Sequence, residues 1–64
     1  MPFIDVTMIE GRSSEKKAAF IKAVTDAAVA TLDAPIESIR VVIREVPAEH
    51  WGVGGVAKKP LVSG

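Results

Sequence analysis

Cysteine is absent from this sequence, and histidine and tryptophan occur once each, as His50 and Trp51. No disulfide or thiolate metal ligand is available, and one histidine does not make a zinc site. Charge of a dominant sign is missing too: eight Lys/Arg balance eight Asp/Glu. Without a net field there is little to draw the chain onto nucleic acid or an anionic membrane, so neither is an expected partner. No apolar run reaches the roughly 20 residues that span a bilayer, and no basic segment precedes a hydrophobic one at the N-terminus. The expected location is the cytoplasm.

What is present is short and greasy. A chain of 64 residues is at most one domain, and a domain of that size buries only about 60% of the surface its unfolded chain exposes. Yet 48% of the residues are hydrophobic and the mean hydropathy is +0.30. With no covalent or metal staple, that apolar surface is expected to be covered by further subunits.

Pro2 to Ile9 alternates, with Ile4, Val6 and Met8 on one face and Phe3, Asp5, Thr7 and Ile9 on the other, the pattern of a strand. Gly11 then allows a tight backbone, Ser13 or Ser14 suits a helix N-cap, and Glu15 favours the first turn. Phe20, Ile21, Val24, Ala28 and Leu32 trace the stripe of a helix of about 18 residues, which Pro35 should close. Ile39 to Val46 is rich in β-branched residues and reads as a second strand, with Arg40 and Arg44 on one face. Strand, helix and strand with short loops predict an α/β (α+β) fold: one βαβ unit with parallel strands and a right-handed crossover. The Gly-rich stretch after Pro47 predicts turns or a small hairpin. One helix covers only one face of two strands, so neighbouring subunits are expected to extend the sheet into a symmetric oligomer.

Several motifs carry chemistry weakly. The stretch "GVGG" lacks the following helix that a phosphate loop needs. Ser14 and Lys17 imitate a nucleophilic pair, but nothing desolvates the lysine and the helix start already explains the serine. His50 reads as a surface residue, and Trp51 as core or interface. Arg12 and Arg40 stand at the two junctions of the βαβ unit. Each could be ion-paired or solvated, but a guanidinium also binds a planar carboxylate bidentately and keeps its charge. Pro2 either simply begins the strand or, after removal of Met1, supplies a free secondary amine.

Taken together and in this order, "MPFIDV", "IEGRS", "LDAP", "IRVVI" and "HWGVGG" resemble the 4-oxalocrotonate tautomerase family over nearly the whole chain. The resemblance implies a single tautomerase-like domain over residues 1–64, a hexamer built as a trimer of dimers, and no metal or organic cofactor. It implies Pro2 as general base, Arg12 holding the distal carboxylate of a dicarboxylate, and Arg40, from a neighbouring subunit, holding the carboxylate and carbonyl oxygen beside the reacting carbon. Ile9 and Trp51 would form the apolar wall, Trp51 replacing the phenylalanine common there. The implied activity is ketonisation of 2-hydroxymuconate-like dienols in aromatic hydrocarbon catabolism. A dehalogenase or hydratase of the same fold, acting on unsaturated acids, is the near alternative, and a non-catalytic oligomeric carboxylate-binding protein the distant one. The tail "VAKKPLVSG" matches poorly, so no role transfers to Lys58 or Lys59.

Overall fold

The computed structural model describes residues 2–59; the expectation about Met1 and the part of the tail from residue 60 onward lie outside the described residues. The order of the main elements is β1 (Phe3–Ile9), α1 (Ser14–Leu32) and β2 (Arg40–Val46), followed by a hairpin of β3 (Gly52–Val53) and β4 (Val56–Ala57). β1 and β2 run parallel with Phe3 opposite Arg40 and Ile9 opposite Val46. The predicted βαβ unit and C-terminal hairpin are both present.

Pro2 stands immediately before β1. Lacking an N–H, it loses no ladder bond there, while its carbonyl accepts the Arg40 N–H at 3.1 Å and forms the first rung between the strands. At the opposite end the Glu10 N–H donates to the Val46 carbonyl at 2.9 Å. The sheet is thus closed at both ends by bonds from residues just outside the strands.

The α1 helix begins at a Ser13 cap, whose hydroxyl accepts the Lys16 N–H at 3.2 Å. It ends at Asp33, which takes the left-handed conformation at φ 55° and donates its N–H to the Val29 carbonyl. A short polar side chain tolerates that geometry, and Pro35 prevents the helix from resuming. Along the helix surface Lys22 bonds Asp26 one turn on, at 2.8 Å. That hydrogen bond, and then the carboxylate charge, raise the Lys22 pKa. The contact therefore persists at neutral pH, and on the alkaline side it is lost as pH rises beyond the lysine range.

Opposed residues of a parallel pair share a face, so Ile4, Val6 and Met8 lie with Val41, Ile43 and Glu45. α1 covers this side, and Lys17 fixes it there through a 3.0 Å ion pair with Glu45. The other face carries Phe3, Asp5, Arg40 and Arg44, with Arg44 Nε 3.0 Å from Asp5. No helix crosses it among the described residues.

The hairpin explains the glycines. Gly54 and Gly55 form its two-residue loop with φ of 60° and 85°, the mirror-image turn whose twist suits adjoining antiparallel strands. A Cβ at either position would meet nothing within 4 Å, so the backbone angle and not crowding selects glycine.

The core is small. Only Ala28, Ile39 and Ala48 are buried among the described hydrophobic residues, whereas Phe3 is 63%, Leu32 61% and Val56 69% exposed. The helix stripe is thus half used: Ala28 is enclosed, but Phe20 and Ile21 remain partly open and Leu32 largely so.

Removing the helix cap by Ser13→Ala should lower unfolding free energy by about 1 kcal/mol in urea titrations at fixed protein concentration. Gly54→Ala, which forces a Cβ into the left-handed region, should cost about 1–2 kcal/mol in the same measurement.

Candidate active site

The sequence-derived site residues divide between the two ends of β1. Pro2 is at its start, half-buried, with the backbone of Arg40 beside it. Ile9 closes the strand and Arg12 follows in the loop before α1. A seven-residue strand covers about 23 Å at 3.3 Å per residue. Within one chain, Pro2 and Arg12 therefore do not meet.

Arg12, Ile9 and Trp51 do come together. They line one cavity of about 710 Å³, whose floor is the consecutive run Val6, Thr7, Met8 and Ile9 of β1. Because consecutive strand residues point to opposite faces, the cavity reaches the strand edge as well as its helix-covered side. That edge of β1 is unpaired among the described residues, since its only ladder is with β2. The first turns of α1 add Lys16, Lys17 and Phe20, and the hairpin side adds Trp51 and Lys58.

Local structure fixes each wall. Trp51 is half-buried and donates its N–H to the Ala48 carbonyl at 3.0 Å, closing a short 3₁₀ turn over Ala48–His50. Its own carbonyl accepts the Lys58 N–H at 2.9 Å, tying the end of the hairpin back to the Trp51 backbone. The Lys16 backbone is held by the Ser13 cap. Arg12 is exposed and makes no hydrogen bond or ion pair among the described residues.

Arg40 sits in backbone contact with Pro2 of its own chain, and its guanidinium donates to the Glu37 carbonyl at 2.6 Å. Lys17 differs from the expectation: read as a solvated residue, it is ion-paired with Glu45, its side chain only 26% exposed. His50 is exposed, in keeping with a surface histidine.

Sequence reasoning missed the contribution of Phe20, Lys16 and Lys58 to the cavity. For the first two a signal existed, since residues three and four apart on a helix share a face and Lys16 precedes Phe20 by four. Lys58 carried none, because its place depends on how the hairpin folds back.

The arrangement offers a carboxylate-binding cation against an indole and an aliphatic wall. No group of three or more His, Cys, Asp or Glu that could hold a metal is found among the described residues. A family model described as "Tautomerase enzyme" matches residues 2–60. A protein of Ralstonia nicotianae named as a probable tautomerase is 67% identical over 58 residues, spanning 91% of this chain and 83% of that one. The 2-hydroxymuconate tautomerase of Comamonas testosteroni is 49% identical over 95% of this chain and 97% of its own. Among solved structures, a heterohexameric 4-oxalocrotonate tautomerase from Chloroflexus aurantiacus superposes with a TM-score of 0.87 at 46% identity, over 89% of this chain and 92% of that one. With its βαβ core, its proline at the head of β1 and its arginine-lined cavity, this chain belongs to the tautomerase enzyme family.

Proposed function

We propose that this protein is a cofactor-independent tautomerase of 2-hydroxymuconate-like dienols, acting as a single domain over residues 1–64 with Pro2 as the general base after Met1 is removed. The observation that carries this reading is the position of Pro2 at the free end of a strand whose other end opens into the Arg12–Trp51 cavity. Relatives named 2-hydroxymuconate tautomerase support the substrate class.

The separation of Pro2 from Arg12 along β1 supports a site shared between copies. Two copies that join their unpaired β1 edges antiparallel, about a two-fold axis, bring Pro2 of each to the Ile9–Arg12 end of the other. The approximately 23 Å between the two half-sites of one chain is bridged by symmetry. The exposed Phe3, Leu32 and Val56 supply apolar surface for that association and for the hexamer that the family resemblance implies. The heterohexameric neighbour is consistent with such an assembly.

Chemically, the Pro2 nitrogen takes the proton of the 2-hydroxyl group. The electron pair moves through the diene, and the same nitrogen returns the proton to a carbon further along, leaving a conjugated 2-oxo acid of unchanged composition. Apolar walls and nearby cations disfavour the protonated amine, which lowers its pKa toward the working pH. Arg12 binds the distal carboxylate. Arg40 stabilises the charge that develops on the oxygen beside the reacting carbon. A neighbouring copy is the proposed source of the Arg40 in each site, its guanidinium exchanging the Glu37 carbonyl for substrate.

Intact mass of the native protein should lack Met1. Pro2→Ala, also processed, should lose about 10²- to 10⁴-fold in kcat on 2-hydroxymuconate; undiminished turnover would remove the proline from the mechanism. The wild-type rate should fall at low pH as the Pro2 amine protonates. Arg12→Ala should raise KM about 10- to 100-fold, as for a lost charge-assisted bond. Arg40→Ala should act mainly on kcat, by about 10²- to 10³-fold. Co-assembling Pro2→Ala with Arg12→Ala subunits should create mixed sites with both wild-type kcat and wild-type KM, a combination that neither variant shows alone.

A further inference from the structure

The charge around the cavity is far from that of the chain as a whole. The protein has a formal net charge of +0, yet the cavity is lined by Arg12, Lys16, Lys17 and Lys58 and by no carboxylate. Only Lys17 is neutralised, by Glu45. Among the described residues Arg12, Lys16 and Lys58 have no ion-pair partner, which leaves three positive charges around one opening. Of the four described cations outside the cavity lining, Lys22 and Arg44 are ion-paired, while Arg40 and Lys59 are not.

The two lysines arrive from different elements and both backbones are pinned. Lys16 is held at the start of α1 by the Ser13 hydroxyl, and Lys58 at the end of the hairpin by the Trp51 carbonyl. They line the same cavity as Arg12, whose remaining lining is mostly apolar. A single guanidinium is enough for one carboxylate. Two further ammonium groups add attraction that grows with the negative charge of what enters, and they give little to an uncharged chain end.

Resting on the tautomerase reading above, we propose that Lys16 and Lys58 act with Arg12 as specificity-determining residues, selecting substrates with a second carboxylate remote from the reacting carbon over monocarboxylates of the same diene. The family resemblance assigns neither lysine a role. Both are offered to substrate directly, through solvent-accessible ammonium groups, so each contributes at the scale of an exposed ion pair.

The test compares 2-hydroxymuconate with 2-hydroxypenta-2,4-dienoate, which keeps the enol and lacks the distal carboxylate. Lys16→Gln and Lys58→Gln should each lower the diacid-to-monoacid ratio of kcat/KM by about two- to fivefold, the scale of one exposed ion pair. The double variant should lower it by about tenfold if the sites add. The loss should appear in KM for the diacid with kcat held, as expected for binding that is uniform along the reaction. Raising salt should shrink the wild-type ratio more steeply than that of the double variant, in which Arg12 alone still attracts the distal carboxylate. Lys59→Gln, a neighbouring lysine outside the cavity, should match wild type throughout, and Lys16→Arg with Lys58→Arg should retain the preference.

Calorimetric binding of muconate against hexa-2,4-dienoate, neither of which carries the enol, reads the same preference without catalysis. A double variant that discriminates as wild type does, in rate and in binding, overturns the inference and leaves the tautomerase reading intact. A wild type that binds muconate selectively but does not turn over the dienol overturns the reading while the lysine effect is still measured in binding. A wild type with no preference for the diacid in either assay overturns the inference outright.

Discussion

A strand of seven residues holds Pro2 and Arg12 at opposite ends of a rigid ladder, and the bonds that close that ladder leave neither able to move toward the other. The first rung uses the Pro2 carbonyl and the last uses the Glu10 N–H. Both lie just beyond the strand, so the two half-sites inherit their spacing from the sheet itself. Under the proposed function, a second copy run the other way would supply at each end what the first lacks. The edge of β1 that is unpaired among the described residues, and the open second face of the sheet, are the surfaces available for it.

The thinness of the molecule points the same way. Its extents are 40 × 24 × 14 Å, so one dimension holds little more than a helix laid on a sheet. Such a slab has no middle in which to bury large side chains, and the enclosed residues include two alanines and one isoleucine. Hydrophobic burial at about 25 cal/mol per Å² cannot stabilise a lone copy much when Phe3, Leu32 and Val56 stay in water. Composition and geometry thus converge on association as part of folding.

Much of this was legible beforehand. Alternation in "FIDVTMI" separated the two faces of β1 correctly because a strand has period two, and the serine–glycine punctuation placed the start of α1 within a residue. Pro35 marked the end of the helix, and the residue that executes the stop is Asp33, one of the short polar types that tolerate a left-handed backbone. The helix stripe was read as one apolar face. In one chain only Ala28 of it is buried, since the periodicity of a helix does not say which of its apolar residues the chain itself covers. Arg12, Ile9 and Trp51 were named together from a resemblance, and the fold brings them to one cavity. Lys16 and Lys58 were not, because a lysine's pattern in sequence is the same whether it faces bulk water or a shared opening.

The hairpin loop has a reach beyond its own four strand residues. Trp51 is gripped on one side by Ala48 and on the other by the strand that returns after the loop. The return happens because Gly54 and Gly55 reverse the chain within two residues. Two residues with no side chain thereby determine where the largest side chain in the protein stands. Evolution could resize the aromatic at position 51 without disturbing that anchor, so the breadth of the pocket and the direction from which it is bounded are separately adjustable.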